Sequence, residues 1–227
     1  MKRITVLLID DHKVVREGLR ALLKADGDIE VVGEAATGRK AVEMASTLCP
    51  EVVLMDIAIP RLNGLEATRQ IRKACPETRV LILSAHNDAE YVDQAIKLGA
   101  AGYLLKQSSI QIISKAIREA SKGNSFFSRS ISKRLAERDE KAYLRGGDKM
   151  KHVSLSSREV EVLQLIAEGM ANKQVAVELG ISIKTVEKHR QHVMEKLDIH
   201  DTASLTRYAI AAGIIENHVR LTIDQEE

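Results

Sequence analysis

Val52-Val53-Leu54-Met55-Asp56-Ile57-Ala58-Ile59-Pro60 is the stretch that decides the fold: an apolar, β-rich run ends on a single carboxylate and then turns at a proline. Bounded by turn residues, such a run reads as a strand buried on both faces of a parallel sheet. Open α/β sheets carry their chemistry outside the carboxyl ends of these strands, which places Asp56 at a rim and not in a core. An Asp after a strand ordinarily caps a turn or faces water, so other stretches have to single this one out.

The same unit recurs on both sides. Residues 4–9 are an apolar run that stops at Asp10-Asp11, and Val15, Leu19, Leu22 and Leu23 follow at helical spacing. Residues 29–32 and 38–48 read as a second strand and helix, and residues 52–57 as the third strand. Pro60 and Gly64 then punctuate a loop before a helix over 65–74. Residues 80–83 end at Ser84 ahead of a helix over 88–98, and Gly102-Tyr103-Leu104-Leu105-Lys106 precedes a helix over 108–122. Five β-α units in about 120 residues predict an α/β doubly wound, five-stranded parallel sheet with right-handed crossovers.

Beyond it the pattern changes. Residues 123–152 mix charges and contain Gly146-Gly147, which predicts a linker, helical in its middle, whose helix can also pair two protomers. Residues 153–217 hold no strand pattern and predict a small all-α four-helix domain. Ser156 or Ser157 opens the first helix, Asn172 caps the second ahead of Gly180, Ser182 caps the third over 183–197, and Asp201 caps the fourth. Residues 218–227 read as an acidic tail.

Composition excludes several classes. A length of 227 residues suffices for two modest domains, and 34 basic against 32 acidic residues leave a net charge of +2 that points to no partner. Aromatics are 3% with no Trp, which argues against base-stacking single-strand binders. Cys49 and Cys75, each followed by Pro, form no metal or redox motif and suit a reducing compartment. The N-terminal apolar segment is short and broken by Asp10 and Asp11, so neither a signal peptide nor a membrane span is expected, and a cytoplasmic protein is.

If the first and third strands lie side by side, Asp10, Asp11 and Asp56 converge. Three clustered carboxylates are costly without a cation, and hard oxygen ligands suit Mg²⁺. Ser84 offers a hydroxyl donor and Lys106 a positive charge from two further strand ends. That set of groups suits phosphoryl transfer, with Asp56 as nucleophile and Lys106, Ser84 and the metal neutralising the phosphoryl oxygens.

These residues carry a resemblance. Asp10-Asp11, Asp56 ahead of Pro60 and Gly64, Ser84 and Lys106, each on its own strand end, resemble the receiver domain of bacterial two-component response regulators, with a flavodoxin-like fold, over residues 1–122. The resemblance implies that Asp56 accepts phosphate from a sensor histidine kinase. It also implies that Asp11, Asp56 and the Ala58 backbone carbonyl hold Mg²⁺ with Asp10 supporting, and that Tyr103 is a switching aromatic. Two features depart from the common pattern: Gln107 follows Lys106 where many receivers have proline, and Ala58 and His86 flank the site. Ala58 cannot orient a hydrolytic water, which leaves the lifetime of the phosphorylated form open.

The second and third C-terminal helices, joined by Gly180-Ile181-Ser182, have the layout of a helix-turn-helix. The polar face of the third helix carries Lys184, Thr185, Lys188, Arg190, Gln191 and Lys196 among His189 and His192, which suits phosphates and base edges. Leu155-Ser-Ser-Arg158-Glu159, Asn172-Lys173-x-Val-Ala176 and Ile181-Ser182-x-Lys184-Thr185-Val186-Glu187-x-His189-Arg190 closely resemble the LuxR-type DNA-binding domain. The resemblance implies a third helix in the major groove and a fourth that helps dimerise. By position Glu187, Lys188 and Gln191 would address bases, and Lys173, Lys184, Thr185, Arg190 and Lys196 would hold phosphates.

Together the halves resemble response regulators of the NarL/FixJ group: phosphorylation-controlled transcription factors that pair on phosphorylation and meet promoter DNA and RNA polymerase, with no membrane partner. Two rivals are a metal-dependent phosphatase using an aspartyl intermediate and a DNA-binding protein whose receiver dimerises without phosphorylation. The phosphatase reading lacks a second acid at Asp-x-Asp spacing, since Ile57-Ala58 follow Asp56, and leaves the C-terminal domain without a task.

Overall fold

The apolar runs pair as strands of one parallel sheet. In a computed structural model, which describes residues 2–85, 89–128, 131–132 and 155–215, the strands are β1 (Ile4–Ile9), β2 (Ile29–Ala35), β3 (Val52–Met55), β4 (Arg79–Ser84), β5 (Gly102–Leu105) and β6 (Phe126–Phe127). Their order is β2-β1-β3-β4-β5-β6. Helices α1 (Lys13–Ala25), α2 (Gly38–Leu48), α3 (Gly64–Ala74), α4 (Ala89–Lys97) and α5 (Ile110–Ser121) follow the first five strands in turn. Alternation along β1 sends Leu7 and Ile9 to one face with Ala41, Ala45, Ala67 and Ile71. Val6 and Leu8 go to the other, with Leu23, Ile113, Ala116 and Ile117. Both faces are covered, as continuous apolar strands require.

A short sixth strand extends the expected five-stranded core, and the sheet runs past residue 122 into the stretch expected to be linker. Phe126 and Phe127 pair in parallel with Gly102 and Tyr103. A Cβ on Gly102 would meet the Phe126 carbonyl oxygen at 2.0 Å, so the strand closes on β5 only because glycine stands there. Ile131, 1% exposed, then enters the core beside Tyr103 and Phe127. The expected helical middle of the linker, its Gly146-Gly147 stretch and the acidic tail lie outside the described residues, as does His86.

The C-terminal helices are α6 (Ser157–Ala167), α7 (Asn172–Leu179), α8 (Ile183–Leu197) and α9 (Thr202–Ala211). Ser156 opens α6 in a capping box with Glu159, and the Ser182 and Asp201 side chains accept from the backbones of Thr185 and Ser204. Asn172 is not a cap: it is the first residue of α7, and the Gln174 side chain instead accepts from the Ala171 backbone at 2.8 Å. Val162, Leu165, Ile166, Val175 and Val186 form one apolar cluster, and Leu163, Val193, Leu205 and Ala209 a second.

Candidate functional site

Strand register builds the acidic end of the sheet. Ile9 pairs with Met55 and the Asp56 amide donates to the Ile9 carbonyl at 2.9 Å, so the next residues, Asp10 and Asp56, are adjacent. Each is 2% exposed. Ser84 pairs with Leu105 and accepts from the Lys106 amide at 2.8 Å, which sets Lys106 beside them. The Lys106 Nζ lies 2.7 Å from Asp56 Oδ2 and 2.8 Å from Asp10 Oδ2. Burial opposes its charge, but the Asp56 and Asp10 carboxylates outweigh burial and hold its pKa above the ordinary lysine value.

The ligand atoms of Asp10, Asp11, His12 and Asp56 lie within 4.8 Å of one another. Asp11 Oδ1 is buried without an aligned hydrogen bond, although His12 Nδ1 approaches it to 2.8 Å. One lysine against three carboxylates leaves negative charge in excess, so the oxygens fit a hard divalent cation. His12 was not singled out by sequence reasoning; its position directly after Asp10-Asp11, where α1 begins, was the available signal.

Ser84 is 1% exposed at the same end of the sheet, and Ala58, half-buried, stands two residues after Asp56. Tyr103, expected as a switching aromatic, is 0% exposed in the core. Its β-strand neighbours are Ile82 and Phe127.

On α8 the outward face carries Lys184, Glu187, Lys188 and Gln191, all exposed, and Lys173 is exposed on α7. The remaining expected contacts are engaged internally. Lys196 donates to Glu159 at 2.7 Å, and Arg190 donates to Thr202 at 2.6 Å and Asn172 at 3.4 Å. Gln191 also reaches Glu195, and Thr185 pairs with Ser182. Burial would raise the pKa of Glu159, but the Lys196 ammonium and the Ser156 backbone and hydroxyl bonds together outweigh it and lower it. Burial, aided by Arg158, pushes the His189 imidazole down and keeps it neutral near pH 7.

Comparisons with known proteins agree with both halves. Residues 6–118 match the family described as "Response regulator receiver domain", and residues 153–209 match "Bacterial regulatory proteins, luxR family". The transcriptional regulatory protein LiaR of Bacillus subtilis is 42% identical over 206 residues, 91% of this chain and 96% of that one. The RcsB response regulator of Salmonella typhimurium aligns with a TM-score of 0.62 at 26% identity, over 93% of this chain and 99% of that one. A structure of two RcsB dimers bound to two parallel DNAs aligns with a TM-score of 0.55 at 28% identity, over 91% and 98%. With strand ends, helix-turn-helix and near full-length kinship in agreement, this chain belongs to the two-component response regulators of the NarL/FixJ group, in which a receiver domain controls a LuxR-type DNA-binding domain.

Proposed function

We propose that Asp56 is the phosphoryl acceptor of this regulator and that a sensor histidine kinase is its donor. The observation that carries this reading is the Lys106 ammonium bridging two buried carboxylates at 2.7 and 2.8 Å, a charge placed where phosphoryl oxygens would arrive. In the transfer, the Asp56 Oδ–phosphorus bond forms as the phosphorus–nitrogen bond to the donor imidazole breaks, and the imidazole keeps the electron pair and gains a proton. Lys106 and Ser84 take up charge on the phosphoryl oxygens. Asp11, Asp56 and the Ala58 carbonyl would hold Mg²⁺, with Asp10 supporting. Bound there, the ion neutralises part of the phosphoryl charge.

The protein turns over no substrate beyond its own phosphate and works in the cytoplasm. Phosphorylation biases Ser84, Tyr103 and the face of β4 and β5, pairs two chains, and lets two copies of α8 meet adjacent half-sites of promoter DNA within reach of RNA polymerase. The dimers on DNA seen with RcsB support this arrangement. Asp56→Asn is expected to abolish labelling of the purified chain by a small phosphodonor such as acetyl phosphate. Intact-mass measurement reads the result, and labelling at the wild-type level would remove Asp56 from this role.

On the output side, Lys188 would donate to guanine, Glu187 accept from cytosine and Gln191 pair with adenine, while Lys173 and Lys184 hold phosphates. Thr185, Arg190 and Lys196 would reach phosphates by exchanging the internal bonds described above. Lys188→Ala is expected to relax base preference at about 1–3 kcal/mol, whereas Lys184→Ala weakens all duplexes and flattens the salt dependence by about one counterion. Selection of bound sequences from a random pool, with a salt titration, separates the two; matching sequence profiles and salt slopes would contradict the assignment.

A further inference from the structure

Cys49 and Cys75 form no motif in the sequence, yet the fold brings both to one carbonyl oxygen. Cys49 ends α2, where its amide donates to the Ala45 carbonyl at 2.9 Å. Cys75 ends α3, and its Sγ donates to that same Ala45 carbonyl at 3.6 Å. The Cys49 Sγ donates to the next carbonyl along α2, that of Ser46, at 3.7 Å. Both residues are free thiols.

Strand register draws the same two residues together independently. Each cysteine is followed by a proline and then by a strand, and the two strands, β3 and β4, pair in parallel with Val52 opposite Arg79. The Arg79 amide donates to the Glu51 carbonyl at 2.9 Å, and the Thr78 hydroxyl donates to the Pro50 carbonyl at 2.9 Å. Pairing therefore continues back beyond the strands toward the two helix ends. The Thr78 amide also donates to the Cys75 carbonyl at 3.1 Å, a turn that keeps Cys75 close behind the start of β4. Cys49 adopts φ 44°, the left-handed turn that leads α2 into β3. Neighbouring strands run about 4.8 Å apart, and a disulfide spans Cα atoms about 4.4–6.8 Å apart, so the two spacings are compatible.

The two thiols differ in access. Cys49 is exposed and Cys75 is half-buried, so a dissolved disulfide meets Cys49 first and Cys75 is left to resolve what forms there. The pair also stands apart from the phosphoryl site. Cys49 precedes the amino end of β3, whereas Asp56 follows its carboxyl end.

We propose that Cys49 and Cys75 are a reversible thiol–disulfide pair of the native fold, closed by exchange with a low-molecular-weight disulfide. The Cys49 thiol gives its proton to solvent and its sulfur attacks one sulfur of the small disulfide. The new sulfur–sulfur bond forms as the old one breaks, and the departing thiolate takes up a proton. Cys75, its proton likewise passed to solvent, then attacks the Cys49 sulfur, and the second small thiolate leaves and is protonated. Two protein thiols are oxidised and one small disulfide is reduced to two thiols. The closed bond ties the end of α2 to the end of α3 around residues 49–75, which contain β3, Asp56 and α3. It gives the receiver a covalent input that does not depend on phosphate, and excess small thiol reverses it.

The test incubates the folded full chain with oxidised glutathione at about pH 8, where an ordinary thiol is partly ionised, and reads intact mass and peptide maps. The wild type is expected to lose two hydrogens, keep no glutathione and show a Cys49–Cys75 bond within one chain. Cys75→Ser is expected to retain one glutathione on Cys49, and Cys49→Ser to take up glutathione on Cys75 at least about tenfold more slowly, as the difference in access requires. The closed wild type should melt several degrees above the reduced form, because the bond restricts the unfolded chain, and added reductant should cancel the difference. A wild type left unmodified, stable glutathione adducts on it, a bond between Cys49 residues of two chains, or a closed form that melts below the reduced one would each overturn the proposal. Each would show that the native fold does not hold the two sulfurs in bonding position.

Discussion

Lys106→Met is expected to slow phosphoryl uptake at Asp56 by about 10²–10³-fold, the usual loss when one preorganised charge-stabilising donor is removed. Methionine keeps most of the side-chain volume and removes the charge, so packing changes little. The same substitution leaves Asp10 and Asp56, each 2% exposed, without the ammonium that now lies 2.8 and 2.7 Å from them. Breaking a buried pair by removing one partner costs about 3–5 kcal/mol because an uncompensated charge remains. A divalent cation replaces that compensation. The melting temperature of Lys106→Met should therefore fall by several degrees in chelator and recover with Mg²⁺, while the wild type responds less. Melting curves with and without chelator, together with a labelling time course, check both parts; wild-type uptake in the variant would remove Lys106 from the chemistry.

Gly64→Ala is expected to be the most damaging single-methyl change in the receiver. The added Cβ would lie 1.9 Å from the Asp56 carbonyl oxygen, 2.8 Å from its carbon and 2.9 Å from the Ile57 Cα. All three are backbone atoms, so no rotamer change relieves the overlap, and either the start of α3 or the acceptor has to move. Overpacking of this kind costs about 1–3 kcal/mol, and more when only backbone can yield. A displacement of Asp56 by about 1 Å would slow transfer about 10²-fold as well. Gly18→Ala is the control: on α1 its Cβ would meet nothing within 4 Å, and the change should stabilise the helix by about 0.5–1 kcal/mol. Thermal melts and labelling rates of the two variants should move in opposite directions for stability, and only Gly64→Ala should lose uptake.

Much of this architecture was legible from strand ends. The apolar runs before Asp10, Asp56, Ser84 and Lys106 state both where each strand stops and which side chain follows it, and parallel pairing of β1 with β3 then makes Asp10 and Asp56 neighbours. The helix-turn-helix was legible for a similar reason, since Ser182 and Gly180 mark a helix start and stop with their own backbone preferences. Phe126-Phe127 was not: two residues carry no period, and their pairing depends on the missing Cβ of Gly102 about two dozen residues earlier. Glu161, Gln164 and Glu168 were also silent, because a sequence shows that a helix face is polar but not that another domain covers it. The internal bonds of α8 were silent in the same way: Lys196 pairs with Glu159 and Arg190 with Thr202 inside the domain, which helical spacing does not show.

The two halves meet at the loop that follows Asp56, the proposed acceptor. On the proposed reading, phosphate on Asp56 would act on the same short backbone stretch that side chains of α6 contact at Ile59 and Asn63. About 1.4 kcal/mol of preference for the undocked, paired form changes its population tenfold, which lies within what a few exchanged hydrogen bonds supply.

The most direct measurement follows one purified sample by three readings: phosphate per chain by intact mass, self-association by sedimentation, and affinity for a duplex carrying selected half-sites, each before and after acetyl phosphate. The account predicts that labelling at Asp56, chain pairing and a rise in duplex affinity of about tenfold or more appear together, and that Asp56→Asn shows none of the three. Full labelling of Asp56 with unchanged mass in solution and unchanged duplex affinity would contradict it.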